Sequence, residues 1–210
     1  PEFELFDLPY LFPDVASVRR ITQGPLGQRM LARLVRQRLV GLGFMDNGFK
    51  HMSANRPLLE PAHFVGLRMR IQASRVIAAQ MRALGARPVT LAFSETRRAL
   101  AAGVVDGTEN PISNFWTQSM HEVQTDLSLT QHAYLGYAFV ANQRFWESMS
   151  VPDRTLVSEA LREALHFGNQ IADTQNDKAL SALREAGGTR IHVPTSAQMA
   201  LMRKAVEPVH

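Results

Sequence analysis

Strand-like and helix-like segments alternate over residues 67–105, and this alternation constrains the fold more than any other feature of the chain. Apolar and polar residues alternate over 67–71 with the period of a strand. Ser74 then starts a helical pattern that ends at Gly85, and a second strand–helix unit follows over 88–103. Strands separated by helices pair in parallel, so the segment predicts an α/β fold with a mainly parallel sheet and helices on both faces.

The rest of the chain continues this pattern. Helices are predicted over 25–40 and 111–122, each with a proline in its first turn. The longest helical pattern covers 150–186 and at this length is expected to bridge two lobes, while Thr195 is predicted to cap a last helix. Further strands are predicted over residues 39–45, 88–93, 104–106, 127–130, 134–141 and 190–193.

Composition excludes several classes of protein. The 210 residues contain no cysteine, so there is no disulfide framework, thiolate zinc site or cysteine nucleophile. Apolar residues make up 45% of the chain, enough for a packed core, but no run reaches the roughly 18 to 20 apolar residues of a membrane-spanning helix. The chain opens with Pro1-Glu2-Phe3-Glu4, so a secretory signal is expected to have been removed or never included.

The positive charge opens the alternative of a nucleic-acid-binding module. The formal net charge is +4 and the sequence pI is ≈ 10.0, with 20 arginines and 3 lysines. The arginines are dispersed, and the densest group shares a predicted helix with an apolar face, as is typical of a solvated helix surface. We therefore expect no nucleic-acid partner; steep salt-dependent retention on DNA would indicate one.

Motifs of the common catalytic sites are missing. The sequence has no G-x-S-x-G elbow, G-x-x-x-x-G-K-[ST] loop, H-E-x-x-H motif or G-x-G-x-x-G fingerprint. His121-Glu122 is the nearest to a metal motif, but Thr125 occupies the place of the second histidine. Asp106 and Glu109 are a candidate carboxylate pair, although aspartate is common in such glycine-containing turns. No metal, cofactor or catalytic set is predicted.

Arg70 is the first candidate binding residue. It lies at the carboxyl end of a predicted strand that leads into a helix, the position where open α/β sheets bind their ligands. Its planar guanidinium matches a carboxylate with two parallel hydrogen bonds and stays charged when partly desolvated. The alternative is a surface strand arginine, as expected for Arg68, and the spacing alone leaves both interpretations open.

Asn110 is the second candidate. It precedes Pro111, which restricts its backbone to extended angles and so fixes the direction of its amide. An amide that donates to a carboxylate at the start of a helix is a good anion contact. The alternative is an ordinary helix N-cap.

Eight short segments share their sequence with one family. They are FDLPYLF (6–12), DNGFK (46–50), GLRMRI (66–71), LGA (84–86), AFSE (92–95), GVVDGTENP (103–111), EVQ (122–124) and LTQHAYLGY (129–137). The D-G-x-E-N-P run among them is quite specific. On these segments the chain resembles the solute receptors of TRAP transporters, of the C4-dicarboxylate-receptor type, and the resemblance covers essentially the whole chain in order.

The resemblance implies a two-lobed fold of the periplasmic binding protein type, with a ligand cleft and a long bridging helix. Such receptors deliver a small carboxylate to membrane subunits that use an ion gradient rather than ATP. The resemblance makes Arg70 the carboxylate clamp, Asn110 its amide partner and Phe93 the apolar wall beside them. Lys50 occupies the place of a second cleft arginine, keeping the charge but not the two-pronged geometry.

The resemblance also implies a division into lobes. One lobe is expected to comprise residues 48–135 and 176–210, and what remains of the other to comprise 1–47 and 136–175 with the bridging helix. Because family members begin before the position of Pro1 and run past His210, the lobe of residues 1–47 and 136–175 is expected to be incomplete, and the cleft with it. A sheet that lacks strands exposes edges and apolar residues, so self-association through this lobe is expected.

These observations favour a periplasmic receptor that binds a small carboxylate and catalyses no reaction. The solute is expected to bridge the lobes and to shift the population toward a closed form. The alternative is an enzyme that acts on a small carboxylate in the same cleft, with His132 or Glu95 as the base; turnover of pooled organic acids would separate the two. The identity of the solute stays open, because Arg70 fits any carboxylate.

Overall fold

The computed structural model describes residues 2–210. Its helices and strands are α1 (Val15–Thr22), α2 (Pro25–Arg33), β1 (Leu39–Ala54), β2 (Arg68–Ile71), α3 (Arg75–Ala83), β3 (Arg87–Thr90), α4 (Thr96–Ala101), β4 (Gly107–Asn110), α5 (Ile112–Thr117), β5 (Asp126–Asn142), α6 (Gln143–Ser148), α7 (Val151–Ala186), β6 (Arg190–His192) and α8 (Ser196–Val206). Short 3-10 helices cover Glu2–Asp7, Leu34–Gln37, Pro61–Phe64, Phe93–Glu95, Met120–Glu122 and Glu207–Val209.

The strands of the described residues form one six-stranded sheet in the order β3-β2-β4-β1-β5-β6. β2 pairs in parallel with β3 and β4, and β5 pairs in parallel with β6. β1 is antiparallel to both β4 and β5. The predicted α/β class with mostly parallel pairings is therefore confirmed, whereas the long antiparallel β1–β5 pair was not predicted.

Local capping signals determine where the helices begin and end. The Ser74 hydroxyl accepts from the Ile77 N–H at 3.3 Å and starts α3. Ser150 caps α7 in the same way, and Gly187, with a φ of 69°, ends it in the left-handed region. α7 is 36 residues long, which confirms the predicted long helix. Among the described residues, no helix is both long enough and apolar enough to cross a membrane.

The apolar core consists of two clusters. The first joins β1 and β2 to α3 and α8, and includes Met52, Phe64, Met69, Ile77, Met81 and Met202. The second joins α4, α5 and α7 to β5, and includes Leu100, Val105, Phe115, Met120, Leu127 and Leu183. Both clusters are drawn from residues 52–127 and 179–206, so these parts of the chain contain most of the buried apolar surface.

Asparagines of α7 bind β1 where its pairing with β5 is irregular. The register of the two strands shifts between Asp46 and Gly48. The Asp46 N–H donates to Asn169 Oδ1 at 2.7 Å, and Asn176 Nδ2 donates to the Asn47 carbonyl at 2.7 Å. Gly48 has a φ of 155°, and a Cβ there would lie 2.7 Å from Asn176 Nδ2. Glycine is therefore required for the close approach of α7 to β1.

Several predicted boundaries were wrong. The helix predicted over 25–40 ends at Arg33 and continues only as a short 3-10 helix, and a helix at Val15–Thr22 was missed. The strand predicted over 104–106 lies at Gly107–Asn110. The strands predicted over 127–130 and 134–141 form one strand, β5, which is interrupted by an irregularity rather than a break: its pairing with β1 shifts register between Lys50 and Met52, and Gln131 there has a φ of 44°.

Candidate ligand-binding site

Arg70 is buried in the middle of β2. It stands opposite Val89 on β3 and Thr108 on β4, and only 4% of its surface is exposed. Arg68, two residues earlier, is half exposed and binds Asp106 through Nη2–Oδ1 at 2.7 Å and Nε–Oδ2 at 3.0 Å. The surface-arginine interpretation is therefore correct for Arg68 and wrong for Arg70.

The guanidinium of Arg70 is oriented without being neutralised. Nε and Nη2 donate to the carbonyl oxygen of Leu91 at 3.1 and 2.8 Å. Among residues 2–210 it forms no ion pair with a carboxylate; the nearby Glu109 is bound to Lys50 instead. Burial lowers the pKa of Arg70 and the charge of Glu109 opposes this, but a guanidinium stays protonated at neutral pH. With five N–H donors, the group keeps free donors for an anion.

A cavity of about 380 Å³ lies beside this guanidinium. The ring of Phe93 lines it, with its centroid 5.6 Å from the Arg70 guanidinium carbon. Asn110, the last residue of β4, lines it as well. The other lining residues are Gln72, Ala73, Thr90, Leu91, Ala92, Asn114, Leu135 and Tyr137. The structure thus places three of the four predicted binding residues around one cavity of a size suited to a small ligand.

Asn110 does not act as a helix cap. Pro111 precedes α5, and no side chain caps that helix. The Asn110 amide nitrogen donates to Thr108 Oγ1 at 3.2 Å and lies 3.6 Å from the sulfur of Met120. The N-cap interpretation is therefore wrong, and the amide is held in place by its own strand.

Lys50 lies away from this cavity. Only 1% of its surface is exposed, and its Nζ atom binds Asp7 Oδ1 at 3.3 Å and Glu109 Oε1 at 3.2 Å. Two carboxylates hold the ammonium in the interior, where an unpaired charge would be very costly. A ligand contact by Lys50 stays a prediction, and the structure does not bring Lys50 together with Arg70, Phe93 and Asn110.

Glu109 is the centre of a buried polar network that the sequence did not indicate. Its second oxygen lies 3.2 Å from His132 Nε2, and His132 Nδ1 lies 2.8 Å from Thr130 Oγ1. Burial disfavours the charge of Glu109, but Lys50 and His132 outweigh burial and hold its pKa below the usual value. Burial lowers the pKa of His132 despite Glu109, and raises that of Asp7 despite Lys50. The network therefore centres on the Lys50–Glu109 ion pair, with His132 bound to the second carboxylate oxygen.

The residues of the enzyme alternative do not meet at the cavity. His132 is fully buried within the Glu109 network, and Glu95 is exposed outside the cavity. Asp106 binds Arg68 while Glu109 binds Lys50, so the candidate carboxylate pair is separated into two ion pairs. Among the described residues, no group of three or more histidines and carboxylates is arranged to hold a metal ion.

Asn114 and Tyr137 also line the cavity and were missed in the sequence. Tyr137 falls within a matching segment, which is the only signal that could have indicated it. Asn114 lies on α5, four residues after Asn110, and no pattern distinguishes it from other polar residues of a short helix.

Sequence comparisons agree with this fold. The family model described as bacterial extracellular solute-binding protein, family 7 (DctP) matches residues 1–210. The C4-dicarboxylate-binding periplasmic protein DctP of Rhodobacter capsulatus is 47% identical over 209 residues, which are 100% of this chain and 63% of that protein. The protein of the same description from Shewanella loihica is 36% identical over 208 residues, 99% of this chain and 62% of that protein. The chain thus spans somewhat less than two thirds of these relatives.

Solved structures give the same result. A TRAP periplasmic solute binding protein from Sulfurospirillum deleyianum, with bound succinate, superposes with a TM-score of 0.97 at 39% identity, over 100% of this chain and 69% of that one. One from Pseudomonas aeruginosa, with bound L-malate, superposes with a TM-score of 0.95 at 32% identity, over 99% of this chain and 72% of that one.

The sheet, the cavity beside Arg70 and these superpositions define an α/β solute-binding protein fold. The chain belongs to the bacterial extracellular solute-binding protein family 7, the DctP family. The resemblance noted in the sequence is thereby confirmed.

Proposed function

We propose that this chain works in a periplasmic receptor that binds a small carboxylate and passes it to the membrane subunits of a TRAP-type transporter. The receptor catalyses no reaction; it binds and releases its solute. Support comes from the family, whose description is that of an extracellular solute-binding protein, and from relatives named as periplasmic binding proteins.

The observation that carries the proposal is the buried guanidinium of Arg70. It faces a cavity of about 380 Å³, is held by the Leu91 carbonyl, and lacks a carboxylate partner among the described residues. A buried cation that the protein itself leaves unpaired is stabilised when an anion enters the cavity. Phe93 limits the access of water to that ion pair, and the neutral Asn110 side chain lines the cavity beside it.

A C4-dicarboxylate is the solute class we propose. The relatives from Rhodobacter capsulatus and Shewanella loihica are named for binding such acids, and two similar structures carry succinate and L-malate. Dicarboxylates of four carbons are small enough for this cavity. The chain's own cavity supplies one cation for one carboxylate, in agreement with an anchor at one end of the solute.

The division into two lobes is part of the proposal. Residues 48–135 with 176–210 form one lobe, and residues 1–47 with 136–175 belong to the other. Every residue of both core clusters lies in the first of these sets, which supports treating it as one packed unit. β1 and β5 cross between the two sets, and the shift in their register at Asp46/Gly48 falls at the boundary. Binding in the cleft shifts the receptor toward its closed form, which the membrane subunits recognise.

The test is a panel of small acids at neutral pH, measured by ligand-dependent thermal shift and then by calorimetric titration of the full-length native protein. The panel contains three acids with two charges (succinate, L-malate and fumarate), one acid with a single charge and several hydroxyls (galacturonate), and one acid with a single charge alone (butanoate). We expect succinate or malate to raise the melting temperature, since a ligand that binds only the folded state stabilises it. The absence of binding by every acid, with the protein folded, would exclude the proposed function.

A further inference from the structure

Three polar side chains at the cavity of Arg70 form a hydrogen-bonded group, which we call the amide–tyrosine cluster: Asn47, Asn114 and Tyr137. Asn47 Nδ2 donates to Asn114 Oδ1 at 3.1 Å and to the Tyr137 hydroxyl oxygen at 2.7 Å. Asn114 and Tyr137 line the cavity, and Asn47 lies behind them. The cluster joins three separate elements, because Asn47 is on β1, Asn114 on α5 and Tyr137 on β5.

The direction of these hydrogen bonds determines what the cluster presents to the cavity. Asn114 accepts through its oxygen, so its amide nitrogen is turned away from Asn47. The Tyr137 oxygen accepts from Asn47, so its own proton is free to be donated elsewhere. Each of these two lining residues therefore keeps a hydrogen-bond donor that Asn47 does not use.

Asn47 is held by further hydrogen bonds. The Ser113 hydroxyl donates to Asn47 Oδ1 at 3.4 Å, while the amide nitrogen binds Asn114 and Tyr137. Asn176 on α7 donates to the Asn47 carbonyl at 2.7 Å and accepts from the Ser113 N–H at 3.0 Å. The two donors are thus organised before a ligand arrives, which reduces the entropy lost on binding.

The cavity has a charged side chain at one place only among the described residues that line it. Arg70 is the single charged side chain among the described residues that line it, and Lys50 is held elsewhere by two carboxylates. Away from the guanidinium, the cavity therefore offers neutral donors rather than a second cation. Neutral donors suit an oxygen that accepts hydrogen bonds, in a carboxylate, hydroxyl or carbonyl group.

We infer that Tyr137 and Asn114 form a second anchor, which holds an oxygen-bearing group of the solute while Arg70 holds its carboxylate. The inference rests on the proposed function and adds its selectivity: a short acid that carries a second oxygen acceptor is bound more tightly than an alkyl monocarboxylate of equal length. Asn47 acts as a positioning residue for the two donors.

Succinate and butanoate test the second anchor, because both have four carbons and only succinate has an acceptor at both ends. The full-length native protein is titrated with each acid, alongside Tyr137→Phe and Asn114→Ala variants. Either substitution is expected to weaken succinate binding about tenfold to a hundredfold, as for a lost hydrogen bond to a charged group. Butanoate binding is expected to change less than about twofold, since the far end of that ligand has no acceptor for the two donors.

Tyr10→Phe is the matched control, because the buried Tyr10 hydroxyl has no partner among the described residues and lies outside the cavity. It is expected to bind both acids like the parent. Folding of each variant is checked by its thermal unfolding.

The outcomes separate the second anchor from the proposed function. One outcome is that Arg70→Ala binds neither acid while Tyr137→Phe and Asn114→Ala bind succinate like the parent. This would overturn the second anchor and leave the proposed function standing. An equal loss of succinate and butanoate in Tyr137→Phe would also overturn it, since that pattern indicates a general structural effect. If the parent binds no acid, the proposed function fails and the anchor with it.

Discussion

Nη2 of Arg70 donates at 2.8 Å to the carbonyl oxygen of Leu91, the first residue after β3. A neutral acceptor holds the plane of the guanidinium while leaving its charge uncompensated. The arginine is thus positioned for an anion by the backbone rather than by a carboxylate that the anion would have to displace.

Arg70→Ala is expected to weaken binding of the carboxylate solute by about 2 to 5 kcal/mol, roughly thirtyfold to several thousandfold. The reason is that the variant leaves the buried carboxylate unpaired. Arg70→Lys keeps the charge but not the two parallel hydrogen bonds of a guanidinium, so it recovers only part of the affinity. Calorimetric titration of the full-length native protein measures both. Arg68→Ala on the same strand is the control and should bind normally; an Arg70→Ala variant that folds and binds within about twofold of the parent would exclude Arg70 as the anchor.

Asn110→Ala removes a neutral polar side chain beside the bound carboxylate, and we expect a smaller loss of about 1.5 to 3 kcal/mol in binding. The same titration measures it. Asn142→Ala serves as control, because Asn142 caps α6 away from the cavity and its loss affects helix stability instead. Equal affinities in the two variants would mean that Asn110 does not contact the solute.

Glu109→Gln is expected to destabilise the fold by about 3 to 5 kcal/mol, because it leaves the buried Lys50 ammonium with Asp7 alone. Denaturant unfolding gives the free energy. The matched control is Glu122→Gln, which breaks the exposed ion pair with Arg97 and is expected to cost less than about 1 kcal/mol. Similar losses in both variants would show that the buried pair contributes no more than a surface pair.

Acid is expected to destabilise the fold through His51. Burial lowers the pKa of His51 to about 3, with the charge of His132 acting in the same direction. Between the unfolded value of 6.5 and about pH 3, the unfolded chain binds a proton that the folded chain does not. The stability contributed by neutral His51 is therefore complete above pH 6.5 and decreases below it, by up to about 1.4 kcal/mol per pH unit.

Urea unfolding at pH 7, 6 and 5 measures this decrease, and His51→Gln should make it shallower by removing the titrating group. His166→Gln, at an exposed position of α7, is the control for replacing a histidine outside the interior. An identical decrease in the parent and His51→Gln would contradict the assignment.

Self-association of the isolated residues 1–210 is also expected. Phe145, Leu156 and Phe167 lie in the set 1–47 with 136–175 and are 64%, 66% and 61% exposed. Large apolar side chains exposed in this number favour association. Sedimentation should show oligomers of the parent chain. The double variant Leu156→Lys with Phe167→Gln should form fewer of them, whereas the control variant Leu201→Gln, on α8, should associate like the parent. A monodisperse monomer at all concentrations would refute the expectation.

Sequence patterns predicted the elements that depend on neighbouring residues. Ser74 and Thr195 cap the helices as predicted, because an N-cap hydroxyl bonds a backbone N–H only a few residues away. The strand period around Arg70 predicted β2 within one residue. The strand predicted over 104–106 was misplaced because the turn before Gly107 contains two valines and resembles a strand in sequence. The apolar pattern alone therefore does not show where β4 begins.

The candidate site was predictable only in part. Arg70 was indicated by its place at a strand end, Asn110 by the proline that follows it, and Phe93 by the family resemblance alone. The three line one cavity. Lys50 was expected beside them because its position matched a cleft arginine. Its partners Asp7 and Glu109 lie 43 and 59 residues away, and no local pattern shows that they draw it into the interior.

The sequence by itself determined the α/β class, the helix boundaries set by caps, and the positions of the arginine and the amide, since periodicity and capping act over a few residues. The tertiary structure alone decided that β1 and β5 pair antiparallel, that Lys50 is neutralised inside, and that Asn47 meets Tyr137 across 90 residues of chain. Such contacts depend on which distant segments pack together, and the free energy of that packing is not contained in any one segment.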